Sequence, residues 1–140
     1  MADKLTMSVP AKPEYTGVVR LAVSSAASAA GFGVDDIEDI AIAVTEVCTN
    51  IFCSGITSSY EVSCEIENDS MIIVIDDITS DEKEEDEDFH PCFCLPVANF
   101  LPELYDPSIC IIMLRALMDE VSIYSCSDGD VLIKMIKNYN

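Results

Sequence analysis

Residues 35–51 read DDIEDIAIAVTEVCTNI, and the apolar residues in this stretch recur at the spacing of an amphipathic helix. Asp35 can cap the start of such a helix, and Glu38 three residues later completes a capping box. Gly55 follows as a residue type that ends helices. The apolar stripe, which needs a second layer to cover it, consists of Ile37, Ile40, Ala41, Val44, Val47, Cys48 and Ile51.

Shorter patterns on both sides of this helix predict the layer against which it packs. Residues 5–9 read as a first strand, and the helix that follows begins at Pro13 and ends at Gly31. After the central helix, residues 60–67 alternate apolar and polar side chains as in a half-buried strand. Residues 71–75 form a more continuously apolar strand.

The second half of the chain begins with an acidic stretch and ends with a helix and a hairpin. Residues 76–88 contain nine acids and one Lys, which predicts a solvated loop. Residues 109–120 read as a third helix that is apolar nearly all round and hence well buried. Residues 121–125 and 131–136 predict the two strands of a closing hairpin around the turn at 127–129.

The order β-α-α-β-β-loop-α-β-β predicts a single domain over residues 1–140, with an acidic, lid-like loop at about 77–107. We expect an α/β (α+β) two-layer sandwich in which the helices cover one face of a mixed, mostly antiparallel sheet.

Composition restricts both the partners and the compartment. The 140 residues carry 7 Lys and Arg against 26 Asp and Glu, so the chain lacks the cations with which proteins bind nucleic acid or an anionic membrane surface. Half of the residues are apolar, which excludes disorder over most of the length. The odd number of cysteines, the absence of an apolar signal core and the absence of an apolar run of membrane-spanning length predict a cytoplasmic protein.

Several stretches of the sequence resemble one bacterial family. VPAKPEY at residues 9–15, VRL at 19–21 and DIEDI at 36–40 are similar to the anti-sigma-factor serine/threonine-protein kinases of the RsbW type, which belong to the GHKL (Bergerat-fold, histidine kinase-like) ATPases. AVTEVCTN at 43–50 resembles the N box of that family, and LMDEV at 117–121 resembles the segment that closes its last motif. The resemblance covers nearly the whole chain and implies the GHKL fold.

The N box supplies the first candidate site residues. Glu46 and Asn50 are four residues apart, so a helix presents them on one face. The resemblance implies that Asn50 is a Mg²⁺ ligand on the nucleotide phosphates and that Glu46 orients or deprotonates the attacking hydroxyl. It further implies that Asp76 reads the adenine amino group. Taken alone, a Glu and an Asn at this spacing are also common on an ordinary solvated helix face.

Three departures from the family pattern lie around the same site. Ile78 stands where the D-x-G box has Gly, and Ser54 stands where a His usually follows the N box. In the segment equivalent to the phosphate-binding G-x-G motif, both glycines carry side chains, at Ser108 and Cys110. Side chains there crowd the phosphates and forbid left-handed backbone. The departures favour a nucleotide site that is impaired, with weak binding of Mg-ATP as the alternative.

Neither of the other two clusters of metal-ligating residue types predicts a structural metal. HPCFC at 90–94 lacks the second ligand pair of a zinc site. The acidic run at 76–88 lacks the ligand spacing of a calcium loop.

The resemblance also implies the partners. It implies a homodimer that holds a sigma factor and releases it when a STAS-type anti-sigma antagonist binds. Arg20, one of two Arg in the chain, is the predicted partner contact on the first helix, with an ordinary solvated Arg as the alternative. Two other functions stay open, namely an active kinase of the antagonist and a subunit that pairs with another GHKL protein.

Overall fold

The computed structural model describes residues 3–54, 58–76, 84–85, 107–125 and 131–139, and for 50–54, 84–85, 107–111, 125 and 131 it describes the backbone alone. Within these residues the chain forms six strands and three helices. In chain order they are β1 (Asp3–Pro10), α1 (Pro13–Ala30), α2 (Val34–Ser54), β2 (Ser59–Ile66), β3 (Ser70–Asp76), β4 (Glu84–Glu85), α3 (Pro107–Leu117), β5 (Glu120–Ser125) and β6 (Val131–Asn138).

The strands form one sheet in the order β1-β2-β3-β6-β5-β4, and every described pairing is antiparallel. The sheet was expected to be mixed and mostly antiparallel, and the expectation of parallel pairs is wrong for the described strands. The predicted closing hairpin is confirmed, because β5 and β6 pair directly, and its turn at 127–129 lies outside the described residues.

The two-layer sandwich is confirmed by the way the strands bury alternate side chains. Cross-strand neighbours Val62, Ile75, Ile133 and Ile123 follow one another across β2, β3, β6 and β5, and all four are buried. The helices cover this face, with α1 packed on α2 and α2 packed on α3. Their share of the core consists of Val19, Val23, Ala26, Ala27, Ile40, Ala43, Val44, Val47, Cys48 and Leu114.

The end of α1 is built as its sequence predicts. Gly31 adopts a left-handed conformation with φ of 96°, which Gly reaches without the penalty of a side chain. Its N–H donates to the Ser28 carbonyl, and the N–H of Phe32 donates to the Ala27 carbonyl. This pair of bonds is a Schellman motif, and it satisfies the last carbonyls of the helix.

The bounds of the other two helices differ from prediction. Helix α2 begins at Val34, so Asp35 lies in the first turn and is not the residue that precedes the helix. Its carboxylate still favours the positive end of the helix dipole. Helix α3 ends at Leu117, and Glu120 belongs to β5, because Asp119 already donates its N–H to the Ile136 carbonyl of β6.

Helix α3 is also less buried than its composition predicts. Leu114 is fully buried, whereas Ile112 on the same helix is 64% exposed. Among its described side chains the helix therefore buries one side, and Ile112 and Arg115 lie on the exposed side.

The predicted acidic loop at 77–107 lies outside the described residues except for two short parts. Glu84 and Glu85 pair with Ser125 and Tyr124 of β5 as a two-residue edge strand, so the expectation of a loop is wrong at those two positions. Pro107 begins α3. Among the described residues, no helix is long and apolar enough to cross a membrane.

Candidate functional site

Glu46 and Asn50 lie one turn apart on α2. Glu46 is half-buried, and burial raises the pKa of its carboxyl group above the ordinary value of 4.5. A carboxylate that is partly removed from water is a better proton acceptor than a fully solvated one. The pKa of Glu46 is thus shifted in the direction that a general base needs, and its catalytic role stays a prediction.

Thr45 lies beside Glu46 but is engaged within the helix. Its hydroxyl Oγ1 donates to the Ala41 carbonyl one turn earlier, over 2.7 Å. Ser and Thr in helix interiors commonly satisfy their hydroxyl in this way. Thr45 therefore contributes no free donor to the face that carries Glu46.

Ser108 and Cys110 lie in the first turn of α3, which begins at Pro107. The first turn of a helix leaves backbone N–H groups unpaired and carries the positive end of the helix dipole, so it favours an anion such as phosphate. Because α3 packs on α2, the structure brings the helix of Ser108 and Cys110 together with the helix of Glu46 and Asn50.

Asp76 lies at the end of β3, where it pairs with Glu61 of β2 and Leu132 of β6. The preceding residue, Ile75, is fully buried on the face that the helices cover. Since side chains alternate along a strand, this register puts Asp76 at a position of the opposite face. The role of Asp76 as adenine reader stays a prediction.

The residue types present suit a magnesium ion that is shared with nucleotide phosphates. Mg²⁺ is usually held by one or two protein oxygen ligands, with phosphates and waters completing its octahedron. Asn50 and the half-buried Glu46, one turn apart, are oxygen-bearing residues of the kind required. In the described part of the chain, no group of three or more His, Cys, Asp or Glu could hold a metal by itself.

Arg20 is exposed on α1. Two large apolar side chains on the same helix are also open to solvent, since Val18 is 55% and Leu21 is 70% exposed. The buried centre of a protein interface is more apolar than the rest of the surface, and interfaces are enriched in Arg, so this part of α1 has features of an interface.

Lys137 is a residue that the sequence reasoning missed. It is only 8% exposed, and its Nζ donates to the Leu117 carbonyl at 2.6 Å. The same ammonium lies 3.5 Å from Asp39 Oδ2 and 3.8 Å from Asp36 Oδ1. The signal was available, because Lys137 continues the inward positions of Ile133 and Met135 along β6. A cation at an inward position of a strand requires acidic partners.

Comparison with known proteins agrees with the fold. Residues 9–137 match the family described as the histidine kinase-like ATPase domain. Proteins named serine-protein kinase RsbW are similar over nearly the full length. The one from Bacillus velezensis is 35% identical over 144 aligned positions, covering 99% of this chain and 87% of the relative. Those from Bacillus subtilis (strain 168) and Bacillus pumilus are 34% and 32% identical, with coverage of 99% of this chain and 88% and 87% of the relatives.

Proposed function

This chain belongs to the family of histidine kinase-like ATPase domains, and from that premise we propose that it is an anti-sigma regulatory protein that acts by partner switching in transcription control. The observation that carries the proposal is the similarity to RsbW serine-protein kinases along 99% of the chain. In this function a homodimer holds a sigma factor and releases it when a STAS-type antagonist binds.

The exposed surface of α1 supports the partner-binding part of the proposal. Val18 and Leu21 expose apolar surface to water in the free protein. A partner that covers this surface removes it from water, which favours binding. Arg20 adds a planar guanidinium with five donors, which suits a carboxylate on the partner. The chain has a formal charge of −19, so most of its surface repels an acidic partner. An exposed Arg provides a local site that attracts a carboxylate of that partner.

The nucleotide part of the proposal is an impaired site. When bound, Mg-ATP would supply the transferable γ-phosphoryl group. Asn50 would hold the metal, and the N-terminus of α3 would face the phosphates. Ser108 and Cys110 add side chains at the positions where the family pattern has glycines, and this bulk reduces the space for phosphate next to the backbone. Partner binding through α1 does not depend on these positions.

An active kinase is the second candidate, and the state of Glu46 is the observation that favours it. Burial raises the pKa of Glu46, which suits a base that takes the proton from a serine hydroxyl. In this reaction the serine oxygen of the antagonist forms a bond to the γ-phosphorus, the bond from that phosphorus to the bridging oxygen breaks, and the proton passes to Glu46.

One set of binding and labelling measurements separates the two functions. The purified protein is titrated by calorimetry with each sigma factor and each STAS-type protein of the same cell, first alone and then with Mg-ATP. Binding of both classes without phosphorylation of the antagonist supports the impaired regulator. Phosphoserine on the antagonist, lost in Glu46→Gln, supports the kinase. Failure of both classes to bind would overturn partner switching altogether.

A further inference from the structure

Residues 137–139 contact one end of every described helix, and we call this tripeptide the 137–139 clasp. Lys137 reaches the beginning of α2 and the end of α3. Asn138 donates its backbone N–H to Asp119 Oδ2 at 2.6 Å, just after α3. Tyr139 reaches the end of α1, where its hydroxyl donates to the Ala30 carbonyl at 2.8 Å.

The Lys137 part of the clasp joins two helix ends of opposite polarity. The Leu117 carbonyl is the last of α3 and has no acceptor role inside the helix, so an ammonium beside it is favourable. Asp36 and Asp39 lie in the first two turns of α2 and supply the negative charge that a buried ammonium needs. One side chain therefore fixes the end of α3 to the beginning of α2.

The Tyr139 part of the clasp closes the end of α1. Its ring stacks on Phe32 with a centroid distance of 4.2 Å and an interplanar angle of 13°. Phe32 is the residue whose N–H completes the Schellman motif, so the stack and the hydroxyl bond both stabilise that motif. The backbone N–H of Tyr139 also donates to the Asp69 carbonyl in the β2–β3 turn, at 3.0 Å.

We propose that the 137–139 clasp couples α1 to α2 and α3, so that a disturbance at one helix end changes the stability of the others. A single residue, Asn138, separates the two anchoring residues, so a displacement of the backbone at one of them is passed directly to the other. If the proposed function holds, the clasp links the partner helix to the helices of the N box and the phosphate motif. The coupling itself depends on no partner and no nucleotide.

Amide hydrogen exchange on the purified chain tests the coupling. The reporters are amides with defined hydrogen bonds near the clasp: Gly31, Phe32, Ile37, Met118 and Asp119. The variants are Lys137→Met and Tyr139→Ala, each alone and together. We expect each single variant to raise exchange about tenfold at reporters of both groups, those at α1 and those at α2 and α3. We also expect the double variant to raise it by less than the product of the two single effects.

Three controls make the result decisive. Lys134→Met removes a Lys from the opposite face of the same strand and should leave all reporters unchanged. The amide of Ala11, bonded to the Ser58 carbonyl away from the clasp, should also keep its rate. Lys137→Arg and Tyr139→Phe are milder changes that serve if the first pair does not fold. For Tyr139→Phe we expect a smaller rise at both groups of reporters, since only the hydroxyl bond is lost.

Two outcomes would overturn the proposal. If Lys137→Met affects only Ile37, Met118 and Asp119, and the Tyr139 variant affects only Gly31 and Phe32, the two anchors act independently. If every amide including Ala11 accelerates equally, the variants lower global stability and the clasp has no specific coupling role. Neither outcome bears on whether the chain binds a sigma factor.

Discussion

The Cys48 thiol of α2 lies beside the Tyr60 hydroxyl of β2, and both residues are fully buried. Burial raises the pKa of Cys48 to about 11, against an opposing effect of the nearby hydroxyl. Burial also raises the pKa of Tyr60. The two groups are close enough for a weak hydrogen bond to contribute to each pKa, lowering that of Cys48 and raising that of Tyr60. By distance and angle, however, the Tyr60 hydroxyl has no hydrogen-bond partner among the described residues. The thiol and the hydroxyl therefore interact at most weakly inside the core.

Tyr60→Phe should therefore leave the protein as stable or make it more stable. An unpartnered buried hydroxyl opposes folding, and Phe keeps the ring that fills the core. We expect a change in the free energy of unfolding between zero and a gain of about 1 kcal/mol, measured by urea denaturation. Tyr60→Ala is the matched variant and should lose about 3–5 kcal/mol through the cavity it leaves. A loss of more than 1 kcal/mol in Tyr60→Phe would mean that the hydroxyl has a partner.

The thiols of Cys48 and Cys64 should resist alkylation in the folded protein. Burial raises the pKa of each to about 11, and the thiolate is the form that reacts. At pH 8 the thiolate fraction is then roughly one in a thousand, even before access is considered. Iodoacetamide treatment followed by peptide mass spectrometry should find both unmodified in native protein and modified in urea. Rapid native labelling of Cys48 would contradict its position in the core.

Glu46→Gln should make the protein more stable than the original chain at pH 7 but not at low pH. The pKa of Glu46 is raised by burial in the folded state, so the folded protein binds more protons than the unfolded chain just above pH 4.5. The contribution of Glu46 to stability consequently falls as the pH rises from 4.5 through the higher pKa of the folded state. We expect a higher melting temperature for Glu46→Gln than for the original chain at pH 7, and no gain at pH 4. Glu38→Gln, an exposed change on the same helix, is the control, and an equal gain in both would remove the burial argument.

The fold was largely predictable because most elements follow a single period. The stripe of α2 and the alternation in β2 each have one buried face, and the structure buries those faces. The end of α3 was mispredicted because residues 109–118 are almost all apolar, so their pattern does not show where the helix stops and the next strand begins. The β5 register against Ile136, a contact remote in sequence, determines where the helix ends. Local pattern contains no information about that contact.

The candidate site was less predictable than the fold. Spacing alone placed Glu46 and Asn50 one turn apart, and the structure adds the half-burial that distinguishes Glu46 from a solvated acid. Lys137 was missed because the strand was ended at Ile136, one residue before the last inward position. Its partners, Asp36 and Leu117, are brought to it only by the packing of two helices on the sheet.

Millimolar Mg-ATP should give no detectable rise in melting temperature. Side chains at Ser108 and Cys110 occupy the positions where the family pattern has glycines, in the first turn of α3. A ligand at about 100 times its dissociation constant would add about 2.7 kcal/mol of stability, which a thermal-shift measurement detects easily. A clear magnesium-dependent rise would contradict the impaired site. In that case Asn50→Ala should abolish the rise by removing the metal ligand.

Leu114→Ala should destabilise the protein through the cavity it leaves between α3 and the sheet. Leu114 is fully buried, and its removal leaves a space that neighbouring elements fill only in part. We expect a loss of about 2–5 kcal/mol in the free energy of unfolding, measured by urea denaturation. Ile112→Ala on the exposed side of the same helix is the control and should lose far less. Equal losses would mean that α3 packs through a different face.

Arg20→Glu should weaken partner binding without unfolding the protein. Arg20 is exposed on α1, and its side chain contributes nothing to the core that Val19 and Val23 form beneath it. The melting temperature and the oligomeric state should therefore stay nearly unchanged. Reversal of a charge that pairs with a partner carboxylate typically costs about 2–5 kcal/mol, which corresponds to a loss of ~30-fold or more in affinity for a sigma factor or an antagonist. Calorimetric titration against the confirmed partner measures it.

The chain offers a close control for this change. Arg115, the other Arg, is also exposed on a helix, so Arg115→Glu makes the same change in net charge at a different place. Its position in the last turn of α3 predicts a loss of a few tenths to 1 kcal/mol in stability through the helix dipole, and no effect on the partner. If both variants weaken binding equally, the effect is one of overall charge. If Arg20→Glu binds a confirmed partner with full affinity, Arg20 lies outside the interface and the α1 surface loses its proposed role.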